Sequence, residues 1–120
     1  MEKLKYFVVS EFDSPDLPNS GVNMDKEFLR LLDKLRERVG FAIIINSGFR
    51  THYHNRKVGG VASSSHTKGL AVDIKIKGNY ERFKIVSEAL KLGINRIGVY
   101  KTFVHLDVDK SLVENVIWYE

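Results

Sequence analysis

The sequence predicts an α+β fold in which helices pack on one face of a mainly antiparallel sheet. Three observations carry this expectation. Apolar residues recur at helical spacing between Met24 and Val39; strict apolar alternation marks LAVDIKI and FVHLDVD; and the elements run helix, strand, loop, strand, helix, strand, strand. A chain of 120 residues is long enough to bury a core and too short for two ordinary domains, so residues 1–120 are expected to form one.

From Asn23, the run NMDKEFLRLLDKLRERVG places Met24, Phe28, Leu31, Leu32, Leu35 and Val39 on one stripe. With Gly40 as its stop, this predicts a helix over residues 24–39. FAIIIN, residues 41–46, is a β-branched run between Gly40 and Ser47-Gly48 and reads as a strand buried on both faces. Residues 48–65 hold Gly59-Gly60 and a serine triplet, which predicts a loop with at most a short helix. In LAVDIKI, Leu70, Val72, Ile74 and Ile76 turn to the core, while Ala71, Asp73 and Lys75 turn the other way. A second amphipathic helix opens at Asn79, carries Phe83, Val86 and Leu90, and ends before Gly93. Residues 95–100 and 103–108 read as two strands about a short turn, and VIWYE closes the chain as an edge strand.

Composition narrows the function classes. No apolar run approaches the roughly 20 residues that a membrane-spanning helix needs. The opening MEKLKYFVVSEF lacks the apolar stretch and small-residue cleavage site of a secretory signal, so synthesis in the cytoplasm is expected. Nineteen basic against fifteen acidic residues leave a net charge of +4, a modest excess that assists contact with an anionic polymer such as nucleic acid or cell-wall glycan. A nucleic-acid role rests on that charge and on clusters such as Arg36–Arg38 alone, and no nucleic-acid partner is expected. Cysteine is absent, so disulfides and thiolate metal sites are excluded and any metal must be held by His, Asp or Glu.

Four histidines bound that search. In FVHLDVD, Val104, Leu106 and Val108 share one face, and Phe103, His105 and Asp107 share the other. Asp73 faces the same way as His105 if both strands belong to one sheet, and the long loop that would cover this face contains His66. Two imidazoles and one carboxylate on an open sheet face describe a catalytic zinc site with a free position for water. A wet face on which His105 and Asp73 simply meet solvent satisfies the same alternation. Arg50, in SGFRTHYHNR, reads either as a solvated loop arginine or as a guanidinium fork for a substrate carboxylate. Asp107 reads as an exposed carboxylate or as the group that orients His105 and the zinc water. His52 and His54 read as loop surface.

The runs NSGFR, HNRKVGGVASSSHTKGLAVDI and FVHLDVD closely resemble the zinc D-Ala-D-Ala carboxypeptidase group of the Hedgehog/DD-peptidase superfamily, from about Phe7 to Asp109. The most specific part is the spacing of Ser64, His66, Gly69, Ala71 and Asp73, followed downstream by His105 and Asp107. The resemblance implies a zinc cofactor held by His66, Asp73 and His105 on the sheet face away from the helices. It also implies that Arg50 and Ser64 bind the carboxylate or backbone of the substrate. The implied substrate is a peptidoglycan stem peptide cut near a D-amino acid, by a carboxypeptidase or an endolysin-type endopeptidase. A phage-encoded enzyme that reaches the wall through a holin would need no leader; a resident enzyme would need another export route. Gly69 and Ala71 are expected to keep bulk out of the metal cleft. Several relatives carry an acidic residue three positions before the last zinc histidine, where this chain has Thr102. Asp107, on the ligand face, is therefore the candidate general base, with an orienting role as the other reading. A non-catalytic zinc-binding module of the same fold, serving a phage or cell wall, is the alternative function.

Overall fold

Five strands are present in the computed structural model, which describes residues 3–120: β1 (Ile44–Ser47), β2 (Ala71–Lys75), β3 (Arg96–Val99), β4 (Phe103–Asp107) and β5 (Val116–Tyr119). They form one sheet in the order β1-β2-β4-β3-β5. Every pairing is antiparallel except β3 with β5, which is parallel because residues 108–115 carry the chain past β3 to its far side. The expected α+β architecture with a mainly antiparallel sheet is the one observed, and VIWY lies at a sheet edge.

Helices α1 (Lys26–Val39), α2 (His52–Lys57) and α3 (Asn79–Lys91) complete the regular structure, with 3-10 turns at Val9–Phe12, Ser20–Asn23 and Ser65–Lys68. Asp25 caps α1 by accepting the Phe28 N–H at 2.9 Å, a contact worth about 1 kcal/mol. Gly40 ends the helix in the left-handed conformation, φ 78°. Phe28, Leu32 and Leu35 of α1 and Ile85 and Ala89 of α3 pack on Val72, Ile74, Ile97, Val104 and Leu106 of the sheet. Phe12, from the first 3-10 turn, is fully buried in the same core. No helix among the described residues is long and apolar enough to cross a membrane.

Three expectations are corrected. The 41–46 run is not a strand buried on both faces: β1 is an edge strand paired only with β2, and Ile44 is 45% exposed. A β-branched run marks an extended segment but not how many neighbours it acquires. The ladder is also irregular there, with Ile45 opposite Ile74 and Ser47 opposite Asp73, so that Asn46 is an extra residue in β1.

The second correction concerns α3, where Phe83 (66% exposed) and Leu90 (46%) face outward while Ile85 and Ala89 are fully buried. Two apolar stripes run along this helix. The one with the small Ala89 faces inward, beside Glu88, which accepts from Arg38 Nε of α1 at 2.9 Å and from Lys91 Nζ at 3.1 Å. That charge pairing can form only with the Ile85–Ala89 side turned toward α1, and spacing alone does not reveal it.

Third, Gly69 answers to the backbone and not to a cleft. It has φ 72°, and a Cβ there would lie 2.2 Å from the Asn23 carbonyl oxygen and 2.9 Å from Met24 Cα. The Gly69 carbonyl in turn accepts the Asp25 N–H at 2.9 Å, fastening the start of β2 to the start of α1. Gly69→Ala is expected to lower unfolding free energy by at least about 1–3 kcal/mol, the scale of a forced left-handed residue, read from the urea midpoint.

Candidate metal centre

Pairing register assembles the site. Asp73 stands directly opposite His105, His105 opposite Gly98, and Gly98 opposite Trp118, while Ser47 reaches Asp73 across the irregularity in β1. Directly opposed residues share a face, so Ser47, Asp73, His105, Gly98 and Trp118 form one row on the side away from the helices.

His66 arrives on the 3-10 turn Ser65–Lys68. Ser64 caps the turn, its hydroxyl accepting the His66 N–H at 3.2 Å, and the His66 carbonyl accepts the Arg50 N–H at 3.1 Å. His66 Nδ1 lies 2.9 Å from the Gly48 carbonyl, which can only accept, so the ring holds its proton on Nδ1 and presents Nε2 to the site. Gly48 is itself wedged against Phe12, where a Cβ would come within 2.8 Å of Phe12 Cα. The acceptor that fixes the imidazole is thereby tied to the core.

His66 Nε2 lies 3.4 Å from Asp73 Oδ2, and His105 Nδ1 lies 2.9 Å from Asp73 Oδ1. One ligand atom from each of the three residues falls within 4.8 Å of the others, and the two imidazole rings meet edge to face at 5.3 Å. Zinc bonds of about 2.0–2.1 Å in tetrahedral geometry place ligand atoms about 3.4 Å apart, so this set of two nitrogens and one carboxylate fits that ion. Electrostatics agree with the fit. Burial pushes the Asp73 carboxyl up, but hydrogen bonds and charge from His105 and His66 outweigh it and hold the group well below the usual carboxylate range. Burial likewise disfavours a charged His105, yet the carboxylates of Asp107 and Asp73 raise its pKa. The site thus calls for positive charge at the point where the three side chains converge.

Asp107 is 1% exposed, with both oxygens engaged. Oδ2 lies 2.8 Å from His105 Nε2, and Oδ1 accepts from Arg96 Nε at 2.8 Å and from the Asp109 N–H at 3.1 Å. Arg50 lies on the opposite flank. Its Nη2 is 3.5 Å from Asp73 Oδ2, its Nε donates to Ser47 Oγ at 3.1 Å, and its Nη1 donates to Asn55 Oδ1 at 3.2 Å. Burial lowers the arginine's pKa and the Asp73 charge works against that shift. A groove of about 260 Å³ opens beside it, lined by Ser47, Gly48, Arg50 and His54 among others. Thr102 sits in the exposed turn before β4, its carbonyl accepting the Ile76 N–H. His52 and His54 lie on α2, outside the convergent group.

Sequence reasoning passed over Arg96, Trp118 and a buried cluster around Asp109. Asp109 accepts from Ser65 Oγ at 2.7 Å, Lys68 Nζ at 3.0 Å and Ser111 Oγ at 2.6 Å. Ser65 and Lys68 flank His66, whereas Asp109 follows β4, so this cluster ties the loop that bears one histidine to the strand that bears the other. The DVD repeat offered no sign that its second aspartate would be buried.

A family model described as Peptidase M15 matches residues 5–107 of the chain. Comparison with curated proteins finds no match.

The Asp109 cluster makes a pH-dependent contribution. Burial works to raise its pKa, but hydrogen bonds from Ser111, Ser65 and Lys68 prevail and depress it. A carboxylate depressed in the fold stabilises fully above its unfolded value of about 3.9 and progressively less as pH falls toward the folded value. Asp109→Asn should therefore lose about 1–3 kcal/mol at pH 7 and show a shallower fall in stability below pH about 4, followed by denaturant titration across pH.

Proposed function

The chain belongs to the Peptidase M15 family, and from that premise we propose that it is a zinc-dependent peptidase that hydrolyses peptidoglycan stem peptides near a D-amino acid. The observation that carries the proposal is the convergence of His66, Asp73 and His105 within 4.8 Å. On each histidine the nitrogen facing away from Asp73 already has a hydrogen-bond partner, Gly48 or Asp107.

When bound, zinc supplies Lewis acidity toward a scissile carbonyl and the means to ionise water near neutral pH. The remaining work falls to the chain itself. Hydrogen bonds to the Gly48 carbonyl and the Asp107 carboxylate hold one nitrogen of each imidazole, while Nε2 of His66 and Nδ1 of His105 face Asp73. Arg50, braced by Ser47 and Asn55, keeps a guanidinium beside the centre to receive the carboxylate or backbone of a peptide. Ser64 acts first on the protein, as the cap of the turn that bears His66. We assign Asp107 the orienting role, because both its oxygens are committed to His105, Arg96 and the Asp109 N–H.

That commitment, together with Thr102 where several relatives carry an acidic residue, favours one second reading: a zinc-holding module of this fold without peptidase activity. The readings separate in two measurements. Elemental mass spectrometry is expected to find close to one zinc per wild-type chain and far less in His105→Ala. Digestion of purified peptidoglycan, followed by mass spectrometry of the muropeptides, is then expected to yield products that the zinc-free protein does not make. Full zinc with no new muropeptide would leave the module reading; no zinc after metal is added would remove both.

For Arg50, the expected result is a loss of about 10- to 100-fold in kcat/KM in Arg50→Ala with zinc content unchanged, the scale of one charge-assisted hydrogen bond. Amidating the substrate's terminal carboxylate distinguishes the modes of cleavage: a carboxypeptidase loses rate, whereas an endopeptidase keeps it.

A further inference from the structure

Trp118 is the only tryptophan in the chain, and it lies on β5, beyond the residues that match the family model. Register places it opposite Gly98, which is opposite His105. Its ring crosses the whole width of β3 to reach the imidazole, with centroids 5.5 Å apart and planes tilted by 47°. The crossing is possible because Gly98 has no side chain: a Cβ there would lie 2.6–2.8 Å from three atoms of the indole. Gly98 is not among the glycines with positive φ, so its backbone would accept any residue. What requires glycine here is the ring above it.

The indole is held from two sides. Its Nε1–H donates to the Tyr100 hydroxyl at 2.9 Å, and Tyr100 stacks on Phe103 with centroids 4.3 Å apart. The Arg96 guanidinium lies 5.2 Å over the ring, and the same guanidinium donates to Asp107 Oδ1 at 2.8 Å. Arg96 therefore touches two of the groups that touch His105, Asp107 and Trp118.

A histidine's χ2 is a broad torsion with weak intrinsic preference, so the aim of its ring must come from its surroundings. Hydrogen bonds to Asp107 and Asp73 hold the two ring nitrogens in this structure, but a metal would take Nδ1 from Asp73 and leave the Asp107 hydrogen bond to fix one ring atom only. Packing must supply the second constraint. His66 meets one side of His105, and Trp118 meets it from the β3 side.

We infer that Trp118 is a positioning residue of the metal centre: lying over Gly98 and pinned by Tyr100 and Arg96, it holds the His105 ring with Nδ1 directed at Asp73 and His66. The last strand thereby sets metal affinity although it contributes no ligand. This rests on the reading of His66, Asp73 and His105 as zinc ligands.

The test compares wild type with Trp118→Leu, which removes the ring, and Gly98→Ala, which drives the ring off His105 while leaving Trp118 in the chain. Zinc affinity is measured by competition with a chromophoric chelator, and the unfolding midpoint of the metal-free protein is recorded alongside. Loss of an outer partner of a metal-bound histidine typically costs about 10- to 100-fold in affinity, and that loss is expected in both variants beyond any change in the metal-free midpoint. Trp118→Phe, which retains a ring but not the Nε1–H donor, should recover most of it. Zinc affinity equal to wild type in Trp118→Leu and Gly98→Ala would overturn the inference and leave the zinc site intact. Failure of wild type itself to bind zinc would overturn the zinc reading, and this inference with it.

A measurement on wild type alone covers the case in which a variant does not fold. Cobalt(II), a paramagnetic substitute for zinc, should quench the fluorescence of Trp118 in full by one equivalent. Cobalt retained in equilibrium dialysis without quenching would show that the indole does not lie against the centre.

Discussion

The pairing of β2 with β4, Asp73 against His105, is the constraint on which the rest depends. Because successive side chains alternate between faces, that one register sends Val72, Ile74, Val104 and Leu106 to the helices and the carboxylate and imidazole to the opposite side. A slip by one residue would turn one of the two strands over, burying Asp73 or His105 in the core and exposing two aliphatic side chains. Hydrophobic burial therefore fixes the face of both groups: the strands cannot satisfy their apolar faces without turning Asp73 and His105 to the same side of the sheet. A buried carboxylate needs a compensating charge or hydrogen bonds, and it finds them in His105, His66 and Arg50.

Around that pair, the site is built from segments far apart in the chain, each fastened by polar contacts and not by packing alone. The 3-10 turn that delivers His66 is capped by Ser64, anchored through Gly48 to Phe12, and joined through Ser65 and Lys68 to Asp109. Asp109 in turn sends its N–H to Asp107, which holds His105. These hydrogen bonds form a path between the segments bearing the two histidines, and Asp73, which meets both imidazoles, closes it into a circuit. Such a circuit limits relative motion of loop and sheet to what the hydrogen bonds allow.

The parts of this arrangement that were legible in the sequence are those that depend on local alternation. LAVDIKI and FVHLDVD placed Asp73 and His105 on the same side, and α1 followed from its stripe and Gly40. What was not legible depends on partners distant in sequence. Edge position for β1 is decided by which strands find it, and the inward face of α3 by an ion pair to Arg38 some fifty residues upstream. Nothing in VIWYE announces that Trp118 will lie over Gly98, because that follows from a parallel pairing the local pattern does not encode. Gly69 was legible as a requirement but not in its cause, since the crowding comes from Asn23 and Met24.

The irregularity in β1 bears on how this fold tolerates changes in chain length. With Asn46 as an extra residue, the strand changes phase between Ile45, which faces Ile74, and Ser47, which faces Asp73. Everything downstream as far as Arg50 inherits that phase, including the Gly48 carbonyl that fixes His66 and the Ser47 hydroxyl that braces Arg50. Loop tips elsewhere can lengthen or shorten by a residue at little cost; here the ladder has already absorbed one insertion, because removing Asn46 would leave Ser47 opposite Asp73 in a regular ladder. Flattening the bulge with Asn46 kept would instead set Asn46 against Asp73 and turn Ser47 to the core.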